Sequence, residues 1–166
     1  MDCRALFDEV YEGYFQRVYA YFVLCFSRDA AEDLCQRVFL KVWRALNRID
    51  FQEPESWKAW IFRVTVNEKN EFLRESYAKP EGVDLIEADG PVEEQGFSPE
   101  RMDIRRAFSS LKEEERELLL LKANGFSSKD IGKLLNLPDS TVRSRVSAAK
   151  ASLQRLLQES GVNGDG

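Results

Sequence analysis

Ser140, Thr141, Arg143, Ser144, Arg145 and Lys150 lie within one run, SSKDIGKLLNLPDSTVRSRVSAAKASL, residues 127–153. Their chemistry is recognition by hydrogen bonds and charge. An arginine donates to two guanine acceptors at once, and hydroxyls reach bases or phosphates. The apolar residues of the run say what must position them. Ile131, Leu134 and Leu135 share one side of a short helix, and Asn136-Leu137-Pro138 makes a tight connection. Val142, Val146, Ala149 and Leu153 then form the buried stripe of a second helix. That is the pattern of a helix-turn-helix, whose second helix puts its N-terminal residues at base edges. A helical hairpin with a solvated basic face has the same pattern.

Two further stretches carry mixed chemistry. DAAEDLCQRVFLKVWRAL, residues 29–46, buries Ala31, Leu34, Val38, Val42 and Ala45. Asp33, Gln36, Arg37, Leu40 and Lys41 point elsewhere, with Phe39 and Trp43 near the border. A polar-plus-aromatic stripe can dock a partner helix. From the residues alone an ordinary amphipathic helix explains it more simply. ESWKAWIFRVTVNEKNEFL, residues 55–73, clusters Trp57, Trp60 and Phe62 among Lys58, Arg63 and Asn67. Rings that stack on bases and amides that read exposed edges suit single-stranded nucleic acid. Trp60 reads as core; Trp57, at the helix start, fits core and stacking equally.

The spacing of apolar residues supplies the scaffold. Phe7, Val10, Tyr11, Tyr14, Val18, Tyr21, Phe22 and Cys25 predict a helix over about residues 3–26. Asp29 offers a cap for a second, with Glu32 three positions on, running to about Leu46. NRIDFQEPE breaks the pattern, and Ser56 caps a third helix from Trp57 to about Tyr77. Its core candidates are Trp60, Ile61, Val64 and Phe72. Ser98-Pro99 opens a short helix bearing Ile104, Phe108 and Leu111. Another follows over about 113–123, stopped by Asn124-Gly125. Helices over about 127–135 and 139–158 complete the chain. The expected fold is all-α: a domain over 1–78, an acidic flexible linker over 79–98, a helix-turn-helix domain over 99–158 and a disordered tail over 159–166.

Charge is partitioned along this plan. The chain has 166 residues and net charge −5. Residues 1–80 hold 12 basic and 13 acidic residues, residues 81–103 hold 1 and 8, and residues 104–166 hold 11 and 8. Local charge governs nucleic-acid binding, so the acidic connector does not exclude it. The connector should itself repel DNA. There is no histidine, and Cys3, Cys25 and Cys35 form no CxxC. A zinc site, a Ser-His or a Cys-His nucleophile is therefore not expected. No catalytic motif is present, so the expected protein is not an enzyme and uses no cofactor or small-molecule substrate. No signal-peptide pattern or membrane span is found, and a cytoplasmic location is expected.

The three motifs in this order resemble the extracytoplasmic-function group of sigma-70 factors. AEDLCQRVFLKVWRAL resembles that family's polymerase-clamp helix, and SWKAWIFRVTVN its promoter-melting segment. LKEEERELLLLKANGFSSKDIGKLLNLPDSTVRSRVSAAKASL resembles its C-terminal domain. The resemblance covers about residues 4–157. It implies that Asp33, Gln36, Phe39 and Leu40 face the β′ clamp helices of core RNA polymerase. Asn47, Trp57, Lys58, Arg63 and Asn67 would meet the opened −10 strand. Ser140, Thr141, Arg143, Ser144, Arg145 and Lys150 would meet the −35 duplex, with a further contact to the β flap. An anti-sigma factor is a common family partner, sometimes at the inner membrane. Ala148 stands where the family often has arginine. Gly132 replaces a usual alanine, which should weaken its helix by about 0.5–1 kcal/mol. Asn136 replaces a usual glycine. A stand-alone helix-turn-helix regulator would explain residues 127–153 but neither of the other motifs.

Overall fold

Side-chain caps start the N-terminal helices. The computed structural model describes residues 2–78 and 99–159, without the side chains of 99–103. Asp2 accepts the Ala5 N–H at 2.8 Å and opens α1, Cys3–Val23. Ser27 accepts the Ala30 N–H at 3.2 Å and opens α2, Arg28–Leu46. The expected cap, Asp29, instead lies in the first turn, where its charge suits the positive end of the helix dipole. Ser56 accepts the Ala59 N–H at 3.2 Å and opens α3, Trp57–Tyr77, with the bounds read from the sequence. α1 ends three residues earlier than its apolar period suggested. Cys25 and Phe26 leave the helix but remain buried, at 3% and 1% exposure, so the period continues past the helix end.

These three helices pack around one core. Val18, Tyr21 and Phe22 of α1, Ala31, Leu34, Val38 and Val42 of α2, and Ile61 and Phe62 of α3 are fully buried. Tyr21 stands edge-on to Phe62, at 6.2 Å between ring centres. Phe62 therefore belongs to the core, not to the ring cluster in which the sequence reading placed it. Trp60, Val64 and Phe72, expected in the core, are only half-buried. The physical reason for Trp60 is a neighbour that periodicity does not register. Phe51, from the α2–α3 loop, packs on both Trp57 and Trp60, at 6.2 and 6.1 Å.

The remaining helices form a second compact unit. They are α4 (Pro99–Ser109), α5 (Glu113–Ala123), α6 (Ser128–Leu135) and α7 (Asp139–Glu159). Phe108, Leu111, Leu118, Leu121, Phe126, Ile131, Val142, Val146 and Ala149 make its core. Gly125, at φ 90°, ends α5. Asn136 caps α6 in the left-handed region, φ 60° and ψ 50°; asparagine tolerates this conformation where most residues do not. Every element among the described residues is a helix, and none is long and apolar enough to cross a membrane. The expected linker over 79–98, Ser98 and residues 160–166 lie outside the described residues.

Gly132 has a role that propensity alone misses. A Cβ there would come within 2.5 Å of the Leu137 carbonyl oxygen, while Leu137 N–H bonds to the Gly132 carbonyl at 2.9 Å. The turn thus folds back onto a bare backbone. Gly132→Ala gains about 0.5–1 kcal/mol of helix propensity. Forcing a backbone carbonyl aside costs about 1–3 kcal/mol. The substitution is expected to lower stability by about 1 kcal/mol, measurable as a lower urea midpoint. A gain in stability would show that the turn relaxes freely.

Candidate nucleic-acid interface

The outward side of α2 is polar with an apolar end. Asp33 and Gln36 are exposed, and Asp33 is paired with Arg37 at 3.0 Å. Leu40 is 47% exposed and Trp43 37%. Phe39 is not part of this face. It is 4% exposed, with its ring 5.0 Å from Tyr11, 6.0 Å from Phe15 and 6.5 Å from Phe7. An aromatic ladder along α1 covers it, which a reading of α2 alone could not foresee.

Arg37 and Lys41 do not face solvent freely either. Arg37 reaches Glu75 at 3.2 Å and lies 4.0 Å from Glu68. Lys41 lies 2.5 Å from Glu68 and 2.9 Å from Glu71. Glu68 itself is buried, at 3% exposure. Hydrogen bonds to Glu68 and then Glu71 raise the Lys41 pKa above its usual value, and the Lys41 hydrogen bond lowers that of Glu71. This seam fastens α2 to α3 and fixes which sides of both helices remain outward. Burial pushes the neighbouring Cys35 thiol up to about 12, so it stays protonated at neutral pH.

On α3 the outward side carries Arg63 and Asn67, both exposed. The half-buried rings of Trp57 and Trp60, edge-on at 5.6 Å, lie at the N-terminal end of the helix. Lys58 is half-buried beside them. Asn47 is exposed at the α2 C-terminus, but its side-chain amide donates to the Trp43 carbonyl at 2.8 Å. Its oxygen and its second N–H are not engaged by that bond.

On α7 the six expected contacts separate by angle. Each residue advances about 100°, so Ser140 and Ser144 face outward from the Val142–Val146–Ala149 core. Thr141 is half-buried, and Ser144 donates to the Thr141 carbonyl at 3.3 Å. Arg143 pairs with Asp139 one turn back, at 3.3 Å. Arg143 and Lys150 are exposed and share a flank. Arg145 is on the opposite flank, ion-paired with Glu114 of α5. The structure therefore groups Ser140, Arg143, Ser144 and Lys150 and sets Arg145 apart.

Residues 10–77 match the Sigma-70 region 2 family, and residues 101–153 match Sigma-70, region 4. The chain is 33% identical to RNA polymerase sigma factor SigZ of Bacillus subtilis, over 80% of this chain and 75% of that protein. It is 30% identical to ECF RNA polymerase sigma factor SigE of Mycolicibacterium smegmatis, over 90% of this chain and 61% of that one. The chain belongs to the extracytoplasmic-function sigma-70 family. Its fold matches that of the sigma factor RpoE of Bartonella quintana, crystallised with the anti-sigma factor NepR. The TM-score is 0.75 at 27% identity, over 92% of this chain and 96% of that chain. This chain spans about three-fifths of the length of SigE.

In this sigma factor several exposed residues escaped the sequence reading. Asn70 and Arg74 continue the Arg63–Asn67 stripe at spacings of three and four, and all four are exposed. The spacing was available in the sequence, but only Arg63 and Asn67 of this stripe were singled out there. Ile49, fully exposed in the α2–α3 loop, left no comparable signal, while Tyr11, expected on the apolar face of α1, is 39% exposed beside Phe39.

Proposed function

We propose that this chain acts as an alternative sigma subunit, binding core RNA polymerase, directing it to −35/−10 promoters and assisting melting. The observation that carries the reading is one helical unit with two separate outward faces. One is the α2 stripe Asp33–Gln36–Leu40–Trp43. The other is the α3 stripe Arg63–Asn67–Asn70–Arg74, with Trp57 and Trp60 at its N-terminal end. A stand-alone helix-turn-helix regulator has no use for that unit. In this reading residues 1–78 engage the β′ clamp helices and the −10 element. Residues 79–98 connect the domains, and residues 99–158 engage the −35 duplex and the β flap. The action is non-enzymatic and cytoplasmic. An anti-sigma factor is the expected regulator, supported by RpoE having been crystallised with one. The test is run-off transcription with core polymerase and start-site mapping. Discrete starts that depend on this chain support the reading; failure to capture core polymerase overturns it.

Two substitutions separate the faces. Asp33→Ala with Gln36→Ala removes exposed polar groups and leaves the α2 core untouched. It is expected to keep normal helicity while weakening core binding several-fold. Unchanged affinity would mean that another face docks.

Trp57→Ala tests melting. Base stacking on an aromatic ring contributes about 1–3 kcal/mol, roughly 5- to 150-fold. Transcription from a closed duplex promoter should therefore fall more than transcription from a pre-melted template. Equal losses on both templates would reduce Trp57 to its packing against Phe51 and Trp60.

A further inference from the structure

Arg143 and Arg145 are two residues apart, hence about 200° apart around α7. Both cannot face one groove floor. Arg145 lies on the flank that meets α5, where its guanidinium pairs with Glu114. Two turns along the same flank, Ser152 donates to Glu115 Oε2 at 3.3 Å. Glu115 is fixed in turn, because its Oε1 accepts the Lys112 backbone N–H at 3.0 Å. The first turn of α5 therefore grips α7 at two points, 145 and 152. Val142, Val146 and Ala149 seat the buried side of the helix in the core, and the two polar grips add a restraint on its roll from the α5 flank.

We propose that Glu114 is a positioning residue for duplex reading. Through Arg145 it sets the roll of α7, so that Arg143 and Ser144 are presented at the correct angle. The proposal rests on the reading of α7 as the −35 helix. Geometry shows why roll matters. An arginine tip about 6 Å from the helix axis moves about 3 Å for a roll of about 30°. That is close to the 3.4 Å rise between base pairs. A small rotation thus shifts a contact by nearly one base step. In this arrangement the charge of Arg145 is spent on Glu114 and adds little to phosphate attraction.

The test uses the full chain assembled with core polymerase, and a DNA library randomised in the −35 duplex upstream of a pre-melted bubble. Selection reports base preference, and thermal melting reports stability. An exposed ion pair contributes little to stability, so melting should barely move. Glu114→Arg and Arg145→Glu should each reduce base discrimination at least 10-fold. The exchanged double variant, Glu114→Arg with Arg145→Glu, should recover it to within about twofold. Arg143→Ala should lose discrimination, with no recovery from the exchange. Discrimination is a ratio, so altered non-specific attraction cancels. If the exchange stays as impaired as Arg145→Glu, Arg145 touches DNA directly and the proposal is wrong. If the single variants read DNA normally, the pair has no positioning role, and the proposal is equally wrong. If wild type and Arg143→Ala alike show no preference in this duplex, the −35 reading itself has failed.

Discussion

Replacing Arg116 with leucine is expected to destabilise the C-terminal unit by about 3 kcal/mol. The side chain is 4% exposed, and its Nη1 donates to the carbonyls of Phe108 and Leu111, at 3.1 and 2.9 Å. The Ser109 carbonyl lies 3.4 Å away. These groups end α4 and begin the turn into α5, where backbone donors are few; the Phe108 carbonyl also accepts the Leu111 N–H, at 3.1 Å, so the Leu111 carbonyl depends more on Arg116. A hydrogen bond from a charged group contributes about 1.5–3 kcal/mol, and an orphaned buried acceptor costs about 1–3. Two opposing effects limit the total. Leucine removes the desolvation cost of a buried cation, and Arg116 Nε is already buried without a hydrogen-bond partner. For a unit of this size the loss corresponds to a melting shift of roughly 12–24 °C. Arg116→Lys, with a compact ammonium that reaches fewer carbonyls, should fall between the two. Duplex binding at 37 °C should decline with stability, while the α1–α3 unit, which has its own core, should melt as before. A leucine variant as stable as wild type would show that water satisfies the carbonyls.

Lys41→Met is expected to cost about 2 kcal/mol, more than removing its buried partner. Glu68 has 4% of its side chain exposed and Lys41 45%. Without Lys41, the carboxylate still has Arg37, but at 4.0 Å. Breaking a fully buried pair costs about 3–5 kcal/mol; the partial exposure of Lys41 lowers the figure. Glu68→Leu leaves two cations that can turn to Glu71, Glu75 or water, so its cost should be smaller. The Lys41→Met, Glu68→Leu double variant should recover much of the loss, and urea unfolding of all four proteins measures the coupling. The pH dependence has a definite sign. The lowered pKa of Glu71 contributes stability above its ordinary value of 4.5 and loses it as pH falls through the lowered one. Lys41→Met should flatten that acid limb. Equal losses from both single variants would mean that Glu68 is hydrated.

Sequence alone determined the helices and their order, because side-chain spacing and local caps act within a few residues. The bounds of α3 and the helix-turn-helix over α6 and α7 followed from apolar periods, Ser56 and the Asn136-Leu137-Pro138 turn. The family resemblance was legible for the same reason, since each of its motifs is one continuous run of sequence. Tertiary structure decided what lies on each outward face. Phe39 was removed from the α2 surface by rings of α1, and Arg37 and Lys41 were drawn to α3. Arg145 was turned to α5, and Gly132 was required by a carbonyl five residues on. In each case the deciding partner comes from outside the helical repeat in which the residue was read. Periodicity identifies a helix's buried side; it does not identify which neighbour claims the flanks.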